Sequence, residues 1–177
     1  MAGKYAERAA SIIRSHAKGA ANEGIPFFLY VAFAHTHTPL AYSKAFEDAS
    51  PRSGWYKVFG NTLAEADYAV GQMVGALDAA ALQNDTLVVL TSDNGPADLG
   101  SVACEAIGDA GPFIGAWQRF GPGGGGSTYK TTTWEGGHRV IGVARWLGHL
   151  AQPGRVSRCL ACVFGGGGAA TRACLGL

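Results

Sequence analysis

The sequence predicts an α/β domain, a layered sheet of mainly parallel strands with flanking helices. Three observations predict it. Segments with helical spacing alternate with short apolar runs in the order helix, strand, helix, strand. The run Phe27 to Phe33 is aromatic or aliphatic throughout, as in a strand covered on both faces, the usual state inside a parallel sheet. The polar residues richest in chemistry, His35, His37, Asp93 and Asn94, follow directly on two apolar runs, where open α/β sheets bind ligands.

Each element has its own signal. A first helix is expected over Tyr5 to Ala21, where Ala9, Ile12, Ile13 and Ala17 recur at helical spacing and Gly19 or Gly24 ends the pattern. Pro26 to Ala34 reads as a strand, closed off by Pro39. A polar loop with Pro51, Arg52, Ser53 and Gly54 follows, and Asn61 then offers an N-cap. The helix it would open runs from Thr62 to Leu82, with Leu63, Ala66, Val70, Val74 and Leu77 as its apolar stripe. "NDTLVVLTSDNGP" supplies a turn, the strand Thr86 to Thr91, and a sharp stop at Asp93-Asn94-Gly95-Pro96. Ala97 to Gly126 is rich in glycine, and Gly123 to Ser127 has the composition of a flexible linker. In "TYKTTTWEGGHRVIGVARW" a β-branched stretch leads to a turn at Glu135-Gly136-Gly137 and a strand from Val140 to Trp146. From Ser157 neither periodicity is present. Residues 1–156 therefore read as one domain or part of one, and 157–177 as a Cys/Gly-rich tail expected to be disordered.

Composition narrows the function. The 177 residues are 47% hydrophobic, enough for a real core. Net charge is +1 with Lys and Arg spread along the chain, so neither a nucleic-acid-binding stripe nor an acidic tail is present. No apolar run approaches the length of about 18 residues that a transmembrane segment needs, and Met1 to Lys18 is charged throughout, unlike a signal core. A signal for export would lie upstream. Cys159-Leu-Ala-Cys162 lacks the second pair or downstream His pair of a zinc site and the βαβ start of a redox site. Small-molecule chemistry is what remains.

The polar clusters each allow two readings. Asp93 and Asn94 offer carboxylate and amide oxygens, which suit calcium or magnesium, yet Asp-Asn-Gly is also a common turn former. Lys130 is either a compact charge for gripping sulfate or phosphate oxygens or a solvated strand-edge lysine. His35 and His37 are either a ligand-facing pair or polar residues at a strand exit.

Three stretches, in this order, resemble one family. "PFFLYVAFAHTHTPL", "AEADYAVGQMVGALDAAALQNDTLVVLTSDNGP" and "YKTTTWEGGHRV" are similar to sulfatases, the arylsulfatase A type above all, within the alkaline phosphatase superfamily. The resemblance runs from about Tyr5 to about Val156. It implies a partial alkaline-phosphatase-like catalytic domain that hydrolyses sulfate monoesters, whether small-molecule, glycan or lipid. It implies His37 as the acid for the leaving alcohol, Lys130 on the sulfate oxygens and His35 at the edge of the site. It also implies Asp93 and Asn94 as two ligands of Ca2+. The family's formylglycine nucleophile arises from a C-x-P-S-R motif, and none of the four cysteines stands in that context. The chain is therefore expected to be an internal piece of a sulfatase from a secreted, lysosomal or periplasmic setting. A non-catalytic or anion-binding remnant and a related metal-dependent phosphatase or phosphodiesterase are the other readings.

Overall fold

Alanine decides how the helices of this chain meet. In the computed structural model, which describes residues 2–19, 24–96, 130, 133–150, 159–160 and 175–176, α1 spans Ala2–Lys18 and buries Ala2, Ala6, Ala9, Ala10 and Ile13. Side chains this small let α1 lie against the next helix, α2 (Gly54–Ala79), over Ala69, Ala76 and Leu77. The helix begins ahead of the expected Tyr5 because Ala2 and Ala6 continue the same face. It closes at Lys18, short of the expected Ala21. His16 and Lys18 in the last turn bring basic groups to the negative end of its dipole.

α2 departs further from expectation. It starts at Gly54 rather than Thr62, and Asn61 is no N-cap but a fully buried residue inside the helix. Its Oδ1 accepts from the Ser50 N–H at 2.8 Å, and its Nδ2 donates to the Glu47 carbonyl at 2.6 Å. One amide thereby satisfies two backbone groups of the incoming loop, which burial would otherwise leave unpaired at a cost of about 1–3 kcal/mol each. Gly60 makes room for this loop, since a Cβ there would overlap the Ser50 side chain. Ser53 takes the cap position without a side-chain bond. The apolar face is also rotated from the expected stripe. Leu77 is buried as expected, but Leu63 is exposed, while Ala66, Val70 and Val74 are only half-buried.

Residues 25–34 are extended, as expected, yet belong to no strand ladder. Phe27, Leu29 and Phe33 pack on the helices, helped by ring contacts of Phe27 with His16 at 4.8 Å and of Phe33 with Tyr5 at 5.7 Å. The opposite face is uncovered: Phe28 is 91% and Tyr30 77% exposed. The expectation of a strand buried on both faces is therefore corrected to one covered face. Leaving such side chains in water forgoes roughly 1.5–3 kcal/mol each.

The expected strand Thr86 to Thr91 shortens to β1 (Val88–Thr91). The glycine pair expected to turn the chain forms instead one helical turn, α3 (Glu135–His138), with Gly136 and Gly137 buried. β2 (Gly142–Arg145) pairs antiparallel with β1, in the register Val88 to Arg145 and Thr91 to Gly142. The ladder described is thus antiparallel, and the mainly parallel sheet expected is not seen among the described residues. Its outer side chains Leu87, Val89, Ile141 and Val143 are exposed. Its far end is tied to the helices: Arg145 pairs with Asp78 at 2.7 Å, and the Trp146 indole donates to the Asn84 carbonyl at 2.8 Å. Behind the ladder, Ala10, Ile13, Ala76 and Leu77 form a core with Phe27, Leu29, Leu82 and Val88.

The tail was expected to hold no packed element, but β3 (Cys159–Leu160) and β4 (Leu175–Gly176) pair antiparallel. The glycine-rich stretch from Ala97 to Gly126 and Cys162 lie outside the described residues. Among those described, no helix is long and apolar enough to cross a membrane.

Candidate active site

Three loops carry the residues singled out by the sequence. The first leaves the extended segment at Ala34, where the His37 N–H donates to the Ala34 carbonyl at 3.0 Å and turns the chain. His37 is exposed. Its Nδ1 lies 2.7 Å from the Thr38 carbonyl, and its Nε2 lies 3.3 Å from Lys130 Nζ. A carbonyl can only accept and an ammonium can only donate, so the two contacts suit the ring tautomer with its hydrogen on Nδ1. His37 and Lys130 are far apart in the chain, and the structure brings them to hydrogen-bond distance.

The loop that carries Asp93 and Asn94 is fastened by its backbone both to α3 and to Lys130. Gly95 N–H donates to the Gly137 carbonyl at 2.9 Å, and Lys130 N–H donates to the Pro96 carbonyl at 2.8 Å. A Cβ at Gly95 would overlap the carbonyl of Gly136, so glycine is required where the two loops cross. The sequence shows these glycines only as turn formers; that they touch is a tertiary fact. Asp93 and Asn94 thus lie on the loop whose Pro96 carbonyl accepts from the Lys130 backbone.

Asp93 Oδ1 accepts from the Asn94 N–H at 3.0 Å. Asn94 Nδ2 donates to the Gly95 carbonyl at 2.8 Å, which commits the amide's nitrogen and turns its oxygen to the other side. The pair fits a hard cation in donor type, two oxygens out of the about six to eight that calcium takes. Among the described residues no group of three or more His, Cys, Asp or Glu side chains is arranged to hold a metal. Any further carboxylates would have to come from elsewhere.

His35 does not join this cluster. It was expected at the edge of the site with His37, but its side chain is 5% exposed and turned toward α2, with Nε2 at 3.5 Å from Glu65 Oε2. That is an ion-pair distance without hydrogen-bond alignment, and Nε2 has no hydrogen-bond partner. Side chains two residues apart on an extended chain share a face, yet His35 and His37 diverge because the turn at His35 to Pro39 intervenes. Glu65, which sequence reading passed over, is 4% exposed and accepts from the Ser43 N–H at 2.9 Å. Burial pushes its carboxyl up, and the hydrogen bonds it accepts, that from Ser43 among them, outweigh burial and hold it below the usual 4.5. Its only signal in the sequence was a carboxylate amid small and apolar residues.

A groove of about 570 Å³ runs between α1 and residues 29–32, lined by Tyr5, Arg8, Ile12, Leu29 and Tyr30 among others. None of His37, Lys130, Asp93 or Asn94 lines it.

A histidine and a lysine at hydrogen-bond distance, with the lysine backbone bonded to the loop that carries two oxygen donors, can together receive an anion. Residues 4–160 match the family model described as Sulfatase, and the chain belongs to that family. Arylsulfatase G of Mus musculus is 42% identical over 150 residues, which cover 85% of this chain and 26% of that protein. Steryl-sulfatase of Homo sapiens is 36% identical over 125 residues, 71% of this chain and 19% of that protein. The chain thus spans about a fifth to a quarter of the length of the curated relatives named. Among solved structures, Ps i-CgsB in complex with k-i-k-neocarrahexaose superposes with a TM-score of 0.61 at 27% identity, covering 84% of this chain and 28% of that one. The PsFucS1 sulfatase from Pseudoalteromonas sp. gives 0.60 at 27% identity, over 81% and 24%.

Proposed function

We propose that this chain is part of a sulfate monoester hydrolase and supplies the leaving-group side of its active site. The observation that carries the reading is the 3.3 Å contact between Lys130 Nζ and His37 Nε2, in a member of the sulfatase family. A sulfate ester carries one negative charge over its free oxygens. An ester seated between the two residues would replace their mutual bond, with its free oxygens accepting from the Lys130 ammonium.

His37 then needs a proton on Nε2 as well as on Nδ1. The imidazolium donates Nε2–H to the oxygen of the departing alcohol as the S–O bond breaks and the sulfuryl group passes to a nucleophile from another part of the protein, and the ring returns to the Nδ1–H tautomer that suits the Thr38 carbonyl. The tautomer these contacts suit is therefore the one that donation would leave. Asp93 and Asn94 would hold a divalent cation, Ca2+ by donor type, which when bound would stabilise the charge building up on the sulfate oxygens. The residues present supply no formylglycine, since no cysteine stands in a C-x-P-S-R setting. The nucleophile and the remaining metal ligands would thus come from other parts of the protein. A glycan, lipid or small aryl sulfate are all open as substrates. The relatives named for aryl and steryl sulfates and the neighbour solved with a neocarrahexaose span that range.

The proton role makes a specific demand. In the whole protein His37→Ala is expected to slow phenyl sulfate, a poor leaving group, about 10²-fold or more, and 4-nitrophenyl sulfate far less, because nitrophenolate departs with little protonation. Steady-state rates on the two esters check it. Equal losses on both would reduce His37 to binding.

A further inference from the structure

We infer that Glu65 is a positioning residue for His37, its carboxylate tying together the two stems of the loop that presents that histidine. The inference rests on His37 as the leaving-group acid. His37 is exposed, so no packing fixes its ring, and its place depends on the loop between Ala34 and Ser43. At one stem His35, two residues before it, is buried with Nε2 3.5 Å from Glu65 Oε2 and without a hydrogen-bond partner. At the other, the Ser43 N–H donates to the same carboxylate oxygen at 2.9 Å.

One buried oxygen on the rigid helix α2 therefore faces both ends of the loop. A turn nearer the start of the helix, Asn61 grips the next stretch of chain through Glu47 and Ser50. The first half of α2 thus presents a row of buried polar side chains, Asn61, Thr62 and Glu65, where a packing face would carry apolar ones. A buried carboxylate is costly unless it is paired and hydrogen-bonded, so its presence there calls for a use. Glu65 is also paired outside this loop, and holding the loop is the part of its pairing that bears on His37, with the Ser43 N–H bonded to it and the unpartnered His35 Nε2 placed within its reach. Small displacements of a positioned acid can cost about 10²-fold in rate, so a residue remote from substrate can act strongly through His37.

The test is made on the whole protein with phenyl sulfate and 4-nitrophenyl sulfate. Glu65→Ala is expected to copy the pattern of His37→Ala, with a loss of about 10²-fold in kcat on the phenyl ester, a small loss on the nitrophenyl ester and little change in KM. Added to His37→Ala it should cost less than about twofold more, since both act on one proton transfer. Glu65→Gln, whose amide oxygen still accepts from Ser43, should recover most of the rate. Amide exchange on the wild-type protein decides the matter independently of turnover or of the folding of Glu65→Ala: the Ser43 and His37 N–H groups should be protected. Protected amides in a protein that turns over no sulfate ester would count against the hydrolase reading and for the clamp. Equal losses on both esters, full additivity with His37→Ala, or a freely exchanging Ser43 amide would overturn the inference.

Discussion

Lys130→Ala in the whole protein is expected to lower kcat/KM for a sulfate ester by about 10²–10³-fold, the scale of removing one group aimed at developing charge. The ammonium is the cation placed 3.3 Å from His37 Nε2, and its backbone N–H is bonded to Pro96, so its removal takes away both the anion contact and the neighbour of the acid. Lys130→Arg keeps the charge but not the geometry. A planar fork on a bulkier head cannot occupy the point between His37 and the ester, so it is expected to restore only a small part of the rate. Kinetics of the three proteins on one aryl sulfate check this, and a fully active arginine variant would show that charge alone matters.

Asp93→Ala is expected to have an effect of similar size, with a different signature. If Asp93 and Asn94 hold the cation, the variant should lose most of its activity and regain part of it at high calcium, whereas Lys130→Ala should not respond to calcium. Activity titrated against calcium after chelation separates the two. An Asp93→Ala enzyme with unchanged calcium response would remove the metal from this loop. Asn94 should follow Asp93, since its amide nitrogen donates to the Gly95 carbonyl and a cation would be met by its amide oxygen.

The parts legible in the sequence were those with local causes. Ala9 and Ile13 mark α1 by their spacing, the apolar run marks the extended chain before His35, and Val88 to Thr91 and Gly142 to Arg145 are β-branched or apolar runs stopped by turns. His37, Lys130, Asp93 and Asn94 stood out because each follows or opens such an element. What the sequence could not display was contact. Asn61 looks like a cap until the loop at Glu47 and Ser50 is seen folded onto it. Gly95, Gly136 and Gly137 look like two turns until they are found backbone to backbone. His35 and His37 look like a pair until Glu65, thirty residues on, draws one of them inward. The mainly parallel sheet was read from apolar runs and their alternation with helices, and neither specifies strand partners. The described residues pair β1 with β2 antiparallel and leave the chain at Phe28 and Tyr30 open.

Sulfate and phosphate monoesters differ in charge more than in shape, so turnover of the two separates a sulfatase from a phosphatase. The most direct test assays the whole protein, in the presence of calcium, on 4-nitrophenyl sulfate and 4-nitrophenyl phosphate side by side. Preferential turnover of the sulfate, lost in Lys130→Ala, is the result expected of a sulfate monoester hydrolase. Preference for the phosphate, or sulfate turnover that Lys130→Ala leaves intact, would contradict it.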